Sequence, residues 1–142
     1  MIEVSIRVIY GDTDQMGVVY YANHFRYFEH ARGELFRSLG KSYRWMEEEG
    51  LRLPVVEAQC RYKAPARYDD LLKLRVWVEE IKRASITFAY ELRRDNEEAL
   101  LATGKTTHMC ISKDGRVTRL PDSVARLLQQ QRTDIKEIEA HG

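Results

Sequence analysis

Asp12, Asp14 and Gly17 stand close together in residues 11–17, a stretch that lies between a segment with strand periodicity and one with helix periodicity. A helix begins with backbone N–H groups that have no partner inside the helix, and its dipole adds partial positive charge there. Such donors can hold the oxyanion that develops when a carbonyl is attacked, and one well-placed donor is worth roughly a hundredfold in rate. A carboxylate in the same loop can serve as nucleophile or as general base for water. Asp and Gly are also ordinary turn and cap residues at such a junction, so spacing alone leaves both readings open.

Two rival chemistries can be tested on the residues. Asp12, Asp14 and Gly17 mimic the opening of a calcium-binding EF-hand loop. That loop needs an oxygen ligand where Met16 stands and a bidentate Glu where Asn23 stands, and both requirements fail. An Asp-x-Asp pair that holds magnesium for phosphoryl transfer normally follows a strand of a parallel sheet with alternating helices. The order of elements here is different.

That order can be read from hydrophobic periodicity. Val4, Ile6, Val8 and Tyr10 recur at every second position, which predicts a strand over residues 4–10. From Asn23 the period changes. Phe25, Phe28, Ala31, Leu35 and Leu39 recur at three- and four-residue steps, the apolar face of a helix with Asn23 as N-cap and Gly40 as its stop. A second short helix is expected over residues 42–49. After Gly50 the pattern is β: alternating apolar positions predict strands near residues 56–62, 72–78, 86–92 and 99–111, with turns at 65–70, 94–97 and 114–115. Asp122 or Ser123 can cap a terminal helix running to Leu128, followed after Arg132 by a polar segment.

One strand, one long helix and then consecutive antiparallel strands make an α+β protein. Residues 1–132 read as a single domain and 133–142 as a polar tail. A single helix covers only part of such a sheet, so further apolar surface is expected to be buried between identical subunits. The chain has 23 basic and 22 acidic residues and a net charge of +1, which gives no global drive toward nucleic acid or anionic membrane. No apolar run approaches the roughly 20 residues needed to span a bilayer, and the N-terminus lacks the apolar core of a signal peptide. Cys60 and Cys110 are too few for a disulfide framework or a zinc site. A cytoplasmic, water-soluble protein is expected.

Residues 7–32, Arg-Val-Ile-Tyr-Gly-Asp-Thr-Asp-Gln-Met-Gly-Val-Val-Tyr-Tyr-Ala-Asn-His-Phe-Arg-Tyr-Phe-Glu-His-Ala-Arg, closely resemble the 4-hydroxybenzoyl-CoA thioesterase family. The nearest branch is that of the bacterial acyl-CoA thioesterases associated with the Tol–Pal system. The later run Tyr-Lys-Ala-Pro-Ala-Arg-Tyr-Asp-Asp at 62–70 and the order of elements match as well, so the resemblance spans about residues 2–128. It implies a hotdog fold, a long central helix wrapped by a curved antiparallel sheet of about five strands. It further implies a homodimer or homotetramer whose sheets join edge to edge and whose sites lie at the dimer interface. The activity implied is hydrolysis of an acyl-CoA thioester to a free acid and coenzyme A. No metal or redox cofactor is implied, because coenzyme A arrives with the substrate.

Carried over by position, Asp14 is the catalytic carboxylate, and the backbone N–H of Tyr21 polarises the thioester carbonyl. Gly17 and Val18 lie against the substrate. The Tol–Pal branch commonly carries His where this chain has Tyr21, whereas the aromatic-substrate enzymes carry Tyr there. His24, near the helix start, can line the site or be a plain polar residue. Glu29 matches a position where a relative carries a carboxylate near the acyl group, and can equally be a solvated helix residue. Coenzyme A phosphates call for cations, for which Arg61, Lys63, Lys82 and above all Arg83 are candidates. His30 and His108 read as structural, and Phe25, Phe28 and Phe36 as core. A non-catalytic acyl-binding module on the same fold is the alternative from another class. Hotdog hydratases pair a His with an acid in a motif that this chain lacks.

Overall fold

The computed structural model describes residues 1–41 and 43–141; Ser42, the expected start of the second helix, lies outside them. In chain order the elements are β1 (Ile2–Arg7), a 3-10 turn (Tyr10–Asp12), α1 (Asn23–Ser38), α2 (Tyr43–Glu48), β2 (Leu51–Arg52), β3 (Val55–Tyr62), β4 (Leu71–Ile81), β5 (Ser85–Arg94), β6 (Leu100–Met109), β7 (Ile111–Ser112) and α3 (Asp122–His141). Five strands form one antiparallel sheet in the order β1-β4-β5-β6-β3, and β2 and β7 form a separate two-stranded ribbon. This is the α+β hotdog architecture, with α1 packed on the inner face of the sheet. Among the described residues no helix is long and apolar enough to cross a membrane.

Alternation decides which face is inner. Leu72, Leu74, Val76 and Val78 of β4 and Ile86, Phe88, Tyr90 and Leu92 of β5 are all buried. They meet Phe28, Ala31, Leu35 and Phe36 from α1 and Val124 and Leu128 from α3. Phe28 stacks on Tyr90 with ring centroids 4.2 Å apart and planes 10° from parallel. It can lie that deep because β6 carries Gly104 beneath it, where a Cβ would fall 2.6 Å from Phe28 Cζ and closer still to Cε2. Beside this stack a polar chain crosses the core. Arg32 Nη1 donates to the Tyr90 hydroxyl, which shares a hydrogen bond with Thr106 Oγ1, and that oxygen pairs in turn with His108 Nε2. His108 Nδ1 donates to the Leu53 carbonyl, which ties the β2–β3 connection to the sheet.

Three sequence expectations need correction. The first strand ends at Arg7 and not at Tyr10. Its partner β4 begins at Leu71, and Val8 is occupied by the 69–70 turn through its N–H to Asp70 and its carbonyl to Asp69. Tyr10 is accordingly exposed, edge-on to Tyr68 at 5.9 Å. Asn23 is the first helical residue, not the N-cap; the cap is Ala22, which makes no side-chain cap bond, and the Asn23 amide reaches back to the Asp12 carbonyl at 2.9 Å. The last helix continues past Leu128 through His141, because residues 129–141 are polar but contain neither Pro nor Gly to stop it. The stop of α1 is as expected: Gly40 at φ +79° closes it, with Gly40 N–H to Arg37 O and Lys41 N–H to Phe36 O.

Candidate active site

The two aspartates of the loop have different tasks. Asp12 is buried, and its carboxylate accepts from the Tyr27 hydroxyl at 2.8 Å and from the Arg26 guanidinium. Its carbonyl accepts from Tyr20 N–H at 2.8 Å as well as from Asn23. Asp12 therefore bolts the loop to the first turns of α1. Tyr27 responds as a buried phenol should: burial first, and the Asp12 carboxylate next, push its pKa well above the usual value.

From this anchor the chain makes a small hairpin in which Thr13 bridges Val19 and Asp14 exchanges backbone hydrogen bonds with Val18 and Gly17. Asp14 opens the turn, and one of its oxygens, Oδ1, accepts from the Met16 N–H at 2.9 Å. Oδ2 makes no hydrogen bond among the described residues. Gly17 closes the turn at φ +78°, a conformation that costs a residue with a Cβ about 1 kcal/mol. A Cβ there would meet nothing within 4 Å, so the loop needs the backbone angle rather than the space.

Opposite the turn lies the start of α1. Asn23 N–H bonds the Tyr20 carbonyl, while the N–H groups of Tyr21 and Ala22 have no acceptor among the described residues. These are the orphan donors a helix N-terminus supplies. His24, the second residue of α1, is buried, and its Nδ1 lies 3.0 Å from the Tyr21 carbonyl. A carbonyl only accepts, so the ring carries its proton on Nδ1, and Nε2 keeps a lone pair with no partner among the described residues. Burial lowers the pKa of His24 and keeps it neutral near pH 7.

These groups share one cavity of about 340 Å³, lined by Asp14, Met16, Val18, Val19, Tyr21, His24, Tyr62, Lys63, Ala64 and Pro65. Residues 62–65 form its floor, and the 62–70 run is held by hydrogen bonds. Val19 N–H bonds the Ala66 carbonyl at 2.8 Å, and Arg94 fastens both the Pro65 carbonyl and the Asp70 carboxylate. The wall is largely apolar, with polar groups contributed by Asp14, Tyr21, His24, Tyr62 and Lys63, the composition usual for a small-molecule pocket.

Of the residues singled out from sequence, the structure brings together Asp14, Val18, Tyr21 and His24, with Gly17 in the adjoining turn. Glu29 does not join them. It lines a separate cavity with Asp12, Arg26 and His30, since five helical steps from His24 place it about 140° around the helix. Arg83 is also elsewhere in this chain. It lies in the β4–β5 turn, whereas Tyr62 stands level with Leu74, about 23 Å by strand rise from the end of β4 that leads into this turn. Tyr62 was not singled out from the sequence. Its signal was its place as the last inward residue of β3, on the face of Ala58 and Cys60, just before the Lys-Ala-Pro turn.

Comparison with known proteins identifies the family. Residues 8–128 match the model of the thioesterase-like superfamily. An acyl-CoA thioesterase of Haemophilus influenzae is 37% identical over 109 residues, 76% of this chain and 80% of that protein. A crystal structure from Aquifex aeolicus superposes with a TM-score of 0.85 at 34% identity, covering 90% of this chain and 99% of the other. The 1,4-dihydroxy-2-naphthoyl-CoA thioesterase of Synechocystis gives 0.82 at 25% identity, covering 89% and 93%. The chain belongs to the thioesterase-like superfamily.

Proposed function

We propose that this chain hydrolyses acyl-CoA thioesters, with Asp14 as the catalytic carboxylate and the Tyr21 N–H as the donor to the thioester oxygen. Membership of the superfamily makes it a thioester hydrolase. One observation supports the assignment of residues: Asp14 and Tyr21, whose N–H has no acceptor among the described residues, line the same largely apolar cavity. In one route an Asp14 oxygen adds to the thioester carbon, the C–S bond breaks, the thiolate leaves and takes a proton, and water then cleaves the mixed anhydride. In the other, Asp14 takes a proton from water as the water adds to the thioester carbon, and collapse of the adduct breaks the C–S bond and expels the thiolate, which takes that proton. Both develop charge on the carbonyl oxygen, where the helix donors act.

The edge of β3 has no partner strand among the described residues, and Val55, Val56 and Tyr62 are exposed there. A bare eight-residue edge is a template for pairing. The reading therefore includes a homodimer joined antiparallel through β3, with dimers free to pair into tetramers. Antiparallel joining would carry the opposite end of the second sheet, the end with Arg83, toward this cavity. Lys63, already at the cavity, is the cation of this chain placed for a coenzyme A phosphate. The resemblance of residues 7–32 to the Tol–Pal-associated enzymes supports reading the chain as nearest that branch.

The test is Asp14→Asn, which keeps shape and removes charge. Thiol release from acetyl-, hexanoyl-, palmitoyl- and benzoyl-CoA should fall about a hundredfold or more on the best substrate. A variant as fast as wild type removes Asp14 from the mechanism. Binding of all four without thiol release by the wild type would favour an acyl-binding module.

A further inference from the structure

Three donors converge on one carbonyl at the cavity wall. Tyr21 O accepts from the Tyr62 hydroxyl at 2.7 Å, from His24 Nδ1 at 3.0 Å and from His24 N–H at 3.3 Å. The Tyr62 ring also stands edge-on to the His24 ring, with centroids 4.7 Å apart and planes at 83°, and edge-on to Tyr21 at 6.3 Å and 87°. One side chain at the end of an edge strand thus grips both the residue whose N–H has no acceptor among the described residues and the imidazole that lines the cavity.

We propose that Tyr62 is a positioning residue for the reaction, holding the Tyr21 carbonyl and the His24 ring so that the helix-start donors stay aimed at the substrate. The proposal rests on the thioesterase reading above and adds to it a residue outside the loop and helix. A donor must be aimed at the oxyanion before charge develops, so a carbonyl left free to swing loses rate in the transition state more than ground-state affinity. The contribution of Tyr62 to folding should be small by contrast. It is 47% exposed and bonds a carbonyl that keeps two other donors. A residue kept for stability alone would show the opposite balance.

Tyr62→Phe keeps the ring and deletes the hydroxyl. With the faster of hexanoyl-CoA and benzoyl-CoA, kcat should fall about tenfold with KM within twofold, the loss expected for one hydrogen bond. The melting temperature should change by no more than a few degrees. A second readout does not depend on turnover: 15N correlation spectra of the His24 ring should show a proton held on Nδ1 in wild type and a mixture of tautomers in the variant. A variant that matches an active wild type in kcat overturns the role of Tyr62 while hydrolysis stands. A fall in kcat accompanied by an unchanged His24 spectrum and a large drop in melting temperature also overturns it, because the hydroxyl would then be structural. A wild type inactive on every acyl-CoA overturns hydrolysis itself, and with it any catalytic part for Tyr62.

Discussion

Acid should destabilise this fold through His108, and by an amount the structure sets. The ring is 1% exposed, and both of its nitrogens are engaged, by the Leu53 carbonyl and Thr106 Oγ1. Burial first, with the nearby Arg32 charge in addition, pulls its pKa from 6.5 down to about 4. The unfolded chain therefore binds a proton below pH 6.5 that the folded chain refuses until about pH 4. Stability is lost progressively as pH falls across that window, by about 2 kcal/mol at pH 5 and about 3 kcal/mol below pH 4. That is a substantial part of the roughly 5–15 kcal/mol that holds a typical domain together. His24, also lowered, acts in the same direction. Urea unfolding at fixed protein concentration, at pH 7.5, 6 and 5, measures the loss, and His108→Gln supplies a side chain that hydrogen-bonds without titrating. Between pH 7.5 and 5 the wild type should lose about 2 kcal/mol more than the variant. Parallel losses in the two proteins would refute the reasoning, whatever their absolute stabilities.

Two further outcomes can be checked. Asp12→Ala orphans the buried Tyr27 hydroxyl and removes the side-chain ties of the loop to Arg26 and Tyr27, which should cost about 2–3 kcal/mol in urea unfolding and lower kcat as well. Gly104→Ala puts a methyl group into the space of the Phe28 ring; overpacking should cost about 1–3 kcal/mol, seen as a fall in the urea midpoint at constant slope.

Legibility in the sequence followed the number of constraints each residue obeys alone. β4 and β5 were plain, because every second residue of each is buried in one face, and the apolar stripe of α1 was equally clear. The end of β1 was less so. Val8 and Tyr10 keep the alternation, but the strand stops where its partner begins, and pairing is not written in periodicity. Asp12 and Asp14 have the same type and the same loop. What separates them is that Asp12 reaches Tyr27 and Arg26 on the helix, a fact of three dimensions. The resemblance supplied the choice of Asp14. The separation of Glu29 from His24, by contrast, was available in advance from a five-residue offset on a helix of 3.6 residues per turn. Tyr62 was hidden for the opposite reason, since its partner lies 41 residues away across a strand–helix contact.

The missing side chain at position 104 has an evolutionary consequence. Phe28 fits because Gly104 leaves room, and His24 lies one turn before Phe28 on the same helix face. Any larger residue at 104 must be met by a smaller one at 28, or the helix start moves relative to the loop that carries Asp14. Positions 28 and 104 are therefore epistatic: neither can drift without the other, and their double substitution should be milder than the sum of the singles. A change of acyl specificity in such a lineage can begin on β6, in a residue that does not line the cavity.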